Sequence, residues 1–385
     1  MKTYKTEIIL SPKQIELFNK TVGTCRFIYN LYIAENKTLY ELNKNNEFKK
    51  FLNNSEFSKY LNHEYLLNNP DKLWIKEVSS KAIRNSIDNA YIAFNKFFKG
   101  LSKFPKFKKK GKSNESYYFT RSSVVQRITF ERHRIKIPCL GFVKLKEYGY
   151  IPKSENIISG RIIRKANKYF ISLITDGELK IKENNYNEGI GIDLGIKDFA
   201  IISNGQTFKN INKTSKVKSI EKRLKREQRK LSRKFKNKKK GDATGQNLKS
   251  QIVRVQRLHL RLSNIRENYH NQVANALVKA KPEYITIENL NIRGMMKNRH
   301  LSKAISRQGF NKFIEKLKFK CYENSIQLRQ VDRFYPSSKT CSNCGNIKKD
   351  LKLSDRIYKC SCGLTIDRDL NAAINLKNAK EYKIT

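Results

Sequence analysis

Apolar and polar residues alternate along YKTEIIL at residues 4–10, the period of a strand with one buried face. Ser11-Pro12 then opens a helix, and the spacing changes to that of a helical face at Ile15, Phe18, Val22, Phe27 and Leu31. The helical period continues to about residue 100 through Trp74, Ile75, Val78, Ile83, Ile87, Tyr91, Phe94 and Phe98. A small helical bundle inserted after the first strand is predicted. From about 117 to 185 the runs VVQRITFERHRIKIP, FVKLK and ISGRIIRKANKYFISLIT are β-branched, alternating and broken by turn residues. They predict a β-barrel-like domain that closes with the strand at 4–10.

The second half begins with YNEGIGIDLGIKDFAIISNG at 186–205, an apolar strand carrying Asp193, a turn, a second strand and a turn at Asn204-Gly205. A three-stranded antiparallel start is predicted. Residues 216–240 form a very basic helix with Ile220, Leu224, Leu231 and Phe235 on one side, ended by Gly241–Gly245. The next helix carries Leu248, Ile252, Val255, Leu258, Leu262, Ile265, Tyr269, Val273 and Leu277. Two apolar seams with a short polar break predict an antiparallel helical hairpin. There follow a strand at 284–290 (YITIENL), a helix at about 303–323, a strand at 326–332 and a last helix at about 367–380. The whole reads as an α+β multidomain chain.

Composition narrows the partners. The chain has 385 residues, room for two or three domains, and 81 Lys+Arg against 34 Asp+Glu give a net charge of +47. Such an excess repels itself unless a polyanion neutralises it, so nucleic acid is the expected partner, with binding steeply dependent on salt. The basic stretch KFPKFKKKGKSNESYYFTR after Gly100 interleaves Phe104, Phe107, Tyr117 and Tyr118. It reads either as a loop for phosphates and stacked bases or as a charged linker. The outer face of the basic hairpin is likewise a phosphate track or a solubilising surface. No apolar run follows Met1-Lys2-Thr3-Tyr4, and no window reaches the length of a membrane span. Seven cysteines, four of them clustered, suit a reducing cytoplasm. Cys25, Cys139 and Cys321 stand apart in apolar surroundings and read as buried packing residues.

Two constellations carry chemistry. Cys341, Cys344, Cys360 and Cys362 have the spacing C-x2-C-x15-C-x-C, which suits four thiolates around Zn²⁺. A glycine follows the second thiolate of each pair, Gly345 and Gly363, letting the backbone turn its amides toward sulfur. The second pair is one residue shorter than the commoner C-x-x-C. The other constellation is Asp193 in a first strand, Glu288 at the end of a later one and Asp369 at the start of the last helix. The order β-β-β, helix, β, helix, β, helix is that of a ribonuclease H fold. There, three acids hold divalent metal, and two Mg²⁺ ions about 3.5–4 Å apart activate water and stabilise the leaving oxygen of a phosphodiester. Taken singly, Asp193 or Glu288 also reads as a structural cap or salt-bridge partner. Arg333 and Arg368 lie near in sequence, and sequence alone assigns neither to the phosphate.

GIDLGIKDFA, TIENL, YPSSKTCSNCG and CGLTIDRDLNAAINL, in this order and spacing, resemble the TnpB (OrfB) family, transposon-encoded RNA-guided DNA endonucleases related to type V CRISPR effectors. CRFIYN and FPKFKKKG also look like family segments, so the likeness covers nearly the whole chain. It implies a RuvC-type nuclease domain at 186–330 and 366–385, with Asp193, Glu288 and Asp369 as the catalytic, Mg²⁺-binding triad. Asp367, the other acid of DRDLNAA, is the expected helix cap. The likeness further implies a split wedge-type barrel at 1–12 and 117–185, a helical recognition region at 13–116 and a zinc-binding insertion at 331–365. The implied partners are a guide RNA from the transposon end and double-stranded target DNA, bound by a monomer with one RNA and no membrane. A short flanking DNA motif would be read by residues between about 40 and 130. The alternatives are an RNA-guided DNA-binding repressor without cleavage, a strand-joining transposase or its accessory protein, and a zinc-ribbon RNA-binding protein. The last two fit less well: no Tyr or His-hydrophobic-His nucleophile motif is present, and the apolar strands carry acids.

Overall fold

The computed structural model describes residues 1–42, 51–111, 114–121, 128–178, 186–237, 244–352 and 354–385. The chain divides into two compact units, Met1–Leu179 and Lys180–Thr385.

In the first unit, strand β1 (Lys2–Ile9) leads into the long helix α1 (Pro12–Leu42). The helix α2 (Asn54–Tyr60) starts with a capping box, Asn53 accepting from the amides of Ser55 and Glu56 while Glu56 reaches back to the Asn53 amide. A π-helical turn, the short α3 (Leu66–Asn68), a 3₁₀ segment (Pro70–Glu77) and α4 (Ser80–Phe98) complete the helical part. Ile28, Tyr32, Phe57, Ile75, Ile87 and Phe94 form its core. The inserted bundle therefore appears as its periodicity predicts.

The strands β2 (Glu115–Thr120), β3 (Arg134–Ile137), β4 (Gly141–Leu145), β5 (Ile157–Lys165) and β6 (Lys168–Thr175) join β1 in a six-stranded sheet of order β2-β5-β6-β1-β4-β3. β1 pairs antiparallel with both β6 and β4, so it sits inside the sheet rather than at a closing seam. Among the described residues β2 and β3 remain edges, and the expected closed barrel is a half-barrel. Part of the run VVQRITF, residues 124–127, lies outside the described residues. Cys139 corrects another expectation. It is exposed in the turn between β3 and β4, with φ of 66°, whereas Cys25 and Cys321 are buried as expected. The basic stretch after Gly100 contains no helix over 101–111, but its aromatics divide. Phe104 packs into the bundle against Phe94 and Phe97, and Tyr117 is buried in the sheet's core. Phe107 alone of the four is exposed. Asn30 holds this stretch to α1 by hydrogen bonds with both backbone groups of Lys108, at 2.9 and 2.7 Å.

The second unit opens with β7 (Ile190–Leu194), β8 (Asp198–Ile202) and β9 (Thr207–Lys209), antiparallel as expected. The helices α5 (Ser215–Lys236) and α6 (Gln246–Lys279) follow. Val217, Ile220, Leu224, Val255, Leu258 and Leu262 form one seam, and the bonds Glu227–Gln251 and Glu221–Arg266 run in reverse order, which makes the hairpin antiparallel. Beyond Leu231 the seam opens and Phe235 is exposed. The expected break at 241–243 lies outside the described residues.

Next come β10 (Tyr284–Ile287), α7 (Ile292–Met295), α8 (Ser302–Gln308) and α9 (Phe310–Glu323). The expected helix over 303–323 is thus two helices, interrupted at Gly309. The chain ends with β11 (Gln327–Gln330), the small hairpin β12 (Ile357–Lys359) and β13 (Thr365–Asp367), α10 (Arg368–Lys377) and β14 (Lys383–Ile384). The main sheet has the order β14-β11-β10-β7-β8-β9, with β10 parallel to both β7 and β11. Ile192, Phe199, Ile285, Phe310, Phe313 and Leu328 fill the core beneath it.

Helix α10 lies directly on β7, and Gly191 is what permits it. A Cβ there would stand 2.1 Å from the Ala373 carbonyl oxygen and 2.3 Å from the Lys377 nitrogen, both backbone atoms that cannot swing aside. Gly191→Ala should therefore lift the helix and cost about 3 kcal/mol or more. A lower denaturation midpoint is the expected reading, and an unchanged midpoint would contradict the contact.

Candidate functional site

The strand pairing explains how Asp193 and Glu288 meet. Ile192 on β7 is opposite Ile287 on β10 in a parallel register, so the next residues, Asp193 near the carboxyl end of β7 and Glu288 just past β10, stand side by side. Glu288 sits one residue past β10 rather than within it. Asp369 comes from the first turn of α10, whose N-cap is Asp367, accepting from the amides of Asp369 and Leu370 at 2.9 and 3.2 Å. The cap role expected for Asp367 is therefore the observed one.

The electrostatics make these acids a unit. Burial pushes the Asp193 carboxyl well above the usual carboxylate range, and the charges of Glu288 and Asp369 push it further. The Arg368 guanidinium opposes them. Arg368 also pairs with Asp369 Oδ1, through Nη2 at 3.1 Å and Nε at 3.3 Å. Burial raises Glu288 as well, against a hydrogen bond donated by the Ser337 hydroxyl to its Oε1. The three carboxylates are not drawn into one tight cluster. Among the described residues, the four cysteines are the one set of at least three His, Cys, Asp or Glu whose ligand atoms all lie within 4.8 Å.

That set has the geometry of a structural zinc site. The Cys341–Cys362 and Cys344–Cys360 sulfurs are each 3.6 Å apart. Four thiolates about 2.3 Å from one ion span tetrahedron edges of about 3.8 Å. Gly345 and Gly363 take φ of 76° and 91°, which an L side chain rarely adopts, so each loop can fold back after its thiolate. The Cys341 amide donates to the Asn346 carbonyl at 2.8 Å and the Cys360 amide to Leu364 at 2.9 Å. A hydrogen bond from the Leu364 backbone, then one from the Asn343 side chain, holds the Cys362 thiol down at about 6. The short C-x-C pair therefore still closes the tetrahedron.

Sequence reasoning missed the residues that join the two centres. Asn371 and Asn375 lie one turn apart on α10 and are buried. Asn375 donates to the carbonyls of Ser337 and Thr340 at 2.7 and 2.6 Å, and Asn371 to Thr340 at 2.7 Å. The signal was present: two asparagines at i, i+4 inside a short helix are poor helix formers and need a reason. Among the described residues, Arg333, the other basic residue near in sequence, forms no hydrogen bond or ion pair with Asp193, Glu288 or Asp369.

Three family descriptions match the chain in order. "Helix-turn-helix domain" of the OrfB IS605 group matches 1–45, "Probable transposase" of the same group matches 157–299, and "Cas12f1-like, TNB domain" matches 310–376. The chain belongs to the TnpB (OrfB) family. In this TnpB-family chain, residues 2–42 are one strand and one helix, so the first description does not portray the local geometry. The chain is 29% identical to a "Putative RNA-guided DNA endonuclease" of Streptomyces pristinaespiralis, over 79% of its own length and 72% of the relative's. It is 26% identical to the similarly named InsQ of Escherichia coli (strain K12), over 98% and 91%. A cryo-EM structure of a Cas12f1-sgRNA-target DNA complex shares the fold, with a TM-score of 0.63 at 15% identity, over 97% of this chain and 84% of that one. Among the described residues no helix is long and apolar enough to cross a membrane.

Two outcomes follow for this TnpB-family site. Because Asp193 is raised in the folded state, the native chain holds its proton to higher pH than the unfolded chain. Stability is then lost as pH rises above the usual value of 3.8. In EDTA, Asp193→Asn should melt at a higher temperature than the wild type at pH 8, and the gap should close toward pH 4. Elemental analysis should find one zinc per chain, and Cys362→Ser should lower that content and expose the 341–363 segment to protease.

Proposed function

We propose that the chain is an RNA-guided, Mg²⁺-dependent DNA endonuclease encoded by a transposable element. It would cut DNA complementary to a bound guide RNA, next to a short flanking motif, through a single RuvC-type site. The observation that carries this reading is the convergence of Asp193, Glu288 and Asp369 at one end of the mixed sheet, where burial and mutual repulsion raise Asp193. Carboxylates held together at such a cost, in a chain of net charge +47, fit a divalent cation.

Asp193, Glu288 and Asp369 would hold Mg²⁺. The bound ions would supply an activated water and charge neutralisation at the leaving oxygen. The chain's own part is positional. β7 and β10 present two acids at adjacent strand ends, α10 presents the third, and Arg368 occupies one oxygen of Asp369. The strand order β14-β11-β10-β7-β8-β9, with helix α10 laid on β7, supports a ribonuclease H-like nuclease domain over 186–330 and 366–385. The cysteine hairpin supports a target-nucleic-acid-binding insertion over 331–365. The half-barrel supports a wedge role for 1–12 and 117–185, and the helical bundle a recognition role for 13–116. The basic hairpin α5–α6 suits phosphate contacts. The RNA guide rests on the names of the relatives and on the excess of positive charge. Intact acids disfavour the repressor reading.

The test uses the protein purified with its co-expressed RNA and a matched plasmid in Mg²⁺. Cleavage should fall about 10³-fold or more in Asp193→Ala and in Glu288→Ala, equivalent to about 4 kcal/mol of barrier. Binding without any cut by the wild type would favour the repressor, and cutting without RNA would remove the guide from the reading.

A further inference from the structure

The loop between β11 and the first zinc knuckle touches both centres. Ser337 is buried, 3% exposed, yet its hydroxyl is aimed at a carboxylate oxygen of Glu288. Its backbone carbonyl accepts from Asn375, which also donates to the Thr340 carbonyl, one residue before Cys341. Asn371, fully buried, donates to the same Thr340 carbonyl and accepts from the Ser342 amide at 3.0 Å, just after Cys341. The Tyr335 hydroxyl donates to the Asn375 carbonyl at 3.1 Å, closing the upstream end. Every one of these bonds joins the 335–342 loop either to Glu288 or to α10, the helix that carries Asp369 in its first turn.

We infer that Ser337 is a positioning residue for Glu288, and that Asn371 and Asn375 hold it in place by clasping its loop to α10. The inference rests on the reading of Asp193, Glu288 and Asp369 as a metal centre and adds how one of those ligands is aimed. A carboxylate just beyond a strand end has rotamers to choose among. The serine hydroxyl occupies one Glu288 oxygen and leaves the other free of that bond, in a carboxylate whose charge acts on Asp193. The serine is in turn fixed because the loop cannot shift without breaking bonds to two asparagines whose own positions are set by α10. Groups that orient a metal ligand in this way commonly govern affinity by about 10- to 100-fold. The same clasp brackets Cys341, so order in the thiolate site and in the acidic site share one segment of backbone.

The probe is Mn²⁺ binding to the full-length protein, read by electron paramagnetic resonance without DNA. The Mn²⁺ bound by the wild type but not by Asp193→Ala is the component due to the acidic centre. Ser337→Ala should weaken that component about 10-fold or more while keeping one zinc per chain. Ser337→Thr, which keeps the hydroxyl, should restore it. Asn375→Ala should weaken it too. An undiminished component in Ser337→Ala, or equal weakening in the alanine and threonine variants, would overturn the inference and leave the metal centre standing. Equal Mn²⁺ binding by the wild type and Asp193→Ala would instead remove the metal centre itself, and the positioning role with it.

Discussion

Helix α10 can rest on β7 only because residue 191 has no side chain, and the other features of the acidic centre depend on that contact. With backbone against backbone, the start of the helix reaches the carboxyl end of β7, where Asp193 sits one residue before the strand ends. The parallel neighbour β10 ends at the same level and delivers Glu288. Three acids from segments far apart in sequence thus meet through one close approach and one register. A helix held even one side chain further out would carry Asp369 away from the other two and leave Asn371 and Asn375 short of the loop they bind.

The arrangement is costly on its own. Asp193 is held above its ordinary range by burial first and by its acidic neighbours second, with Arg368 as the opposing charge. Stability forgone at such a point is typical of a site kept for binding rather than for folding. The zinc knuckle works in the other direction. Its four sulfurs lie close enough for one ion, its two glycines allow the turns, and the backbone amides of Asn346, Cys362 and Leu364 point at sulfur. The cysteine quartet suits a soft ion and the buried acids, under the proposed reading, a hard one, and the 335–342 loop borders both.

Legibility varied with the range of the interaction. The helical bundle, the antiparallel start at β7–β9 and the α5–α6 hairpin were readable because periodicity reports which face is buried. The cap at Asp367 and the cysteine quartet were readable because short spacing sets local geometry. Reading failed where a distant neighbour decided. Phe104 and Tyr117 read as part of either a base-stacking loop or a charged linker, and instead they fill the cores of the bundle and the sheet. Cys139 looked buried and lies exposed in a turn. The barrel expected from strand count remains open among the described residues, because closure depends on edges whose pairing no single strand reveals.

The sequence by itself determined which residues could do chemistry: three acids at the borders of apolar strands and a helix, four thiolates at metal spacing, and a charge that calls for a polyanion. These are properties of local pattern and composition, and they survive without any knowledge of packing. Only the tertiary structure decided what those residues do to one another. That Asp193 is raised by Glu288 and Asp369 and that Ser337 donates to Glu288 depend on approaches between residues from 49 to 176 positions apart in the chain. Electrostatic and hydrogen-bond energies fall away within a few ångströms, and sequence separation carries no information at that scale.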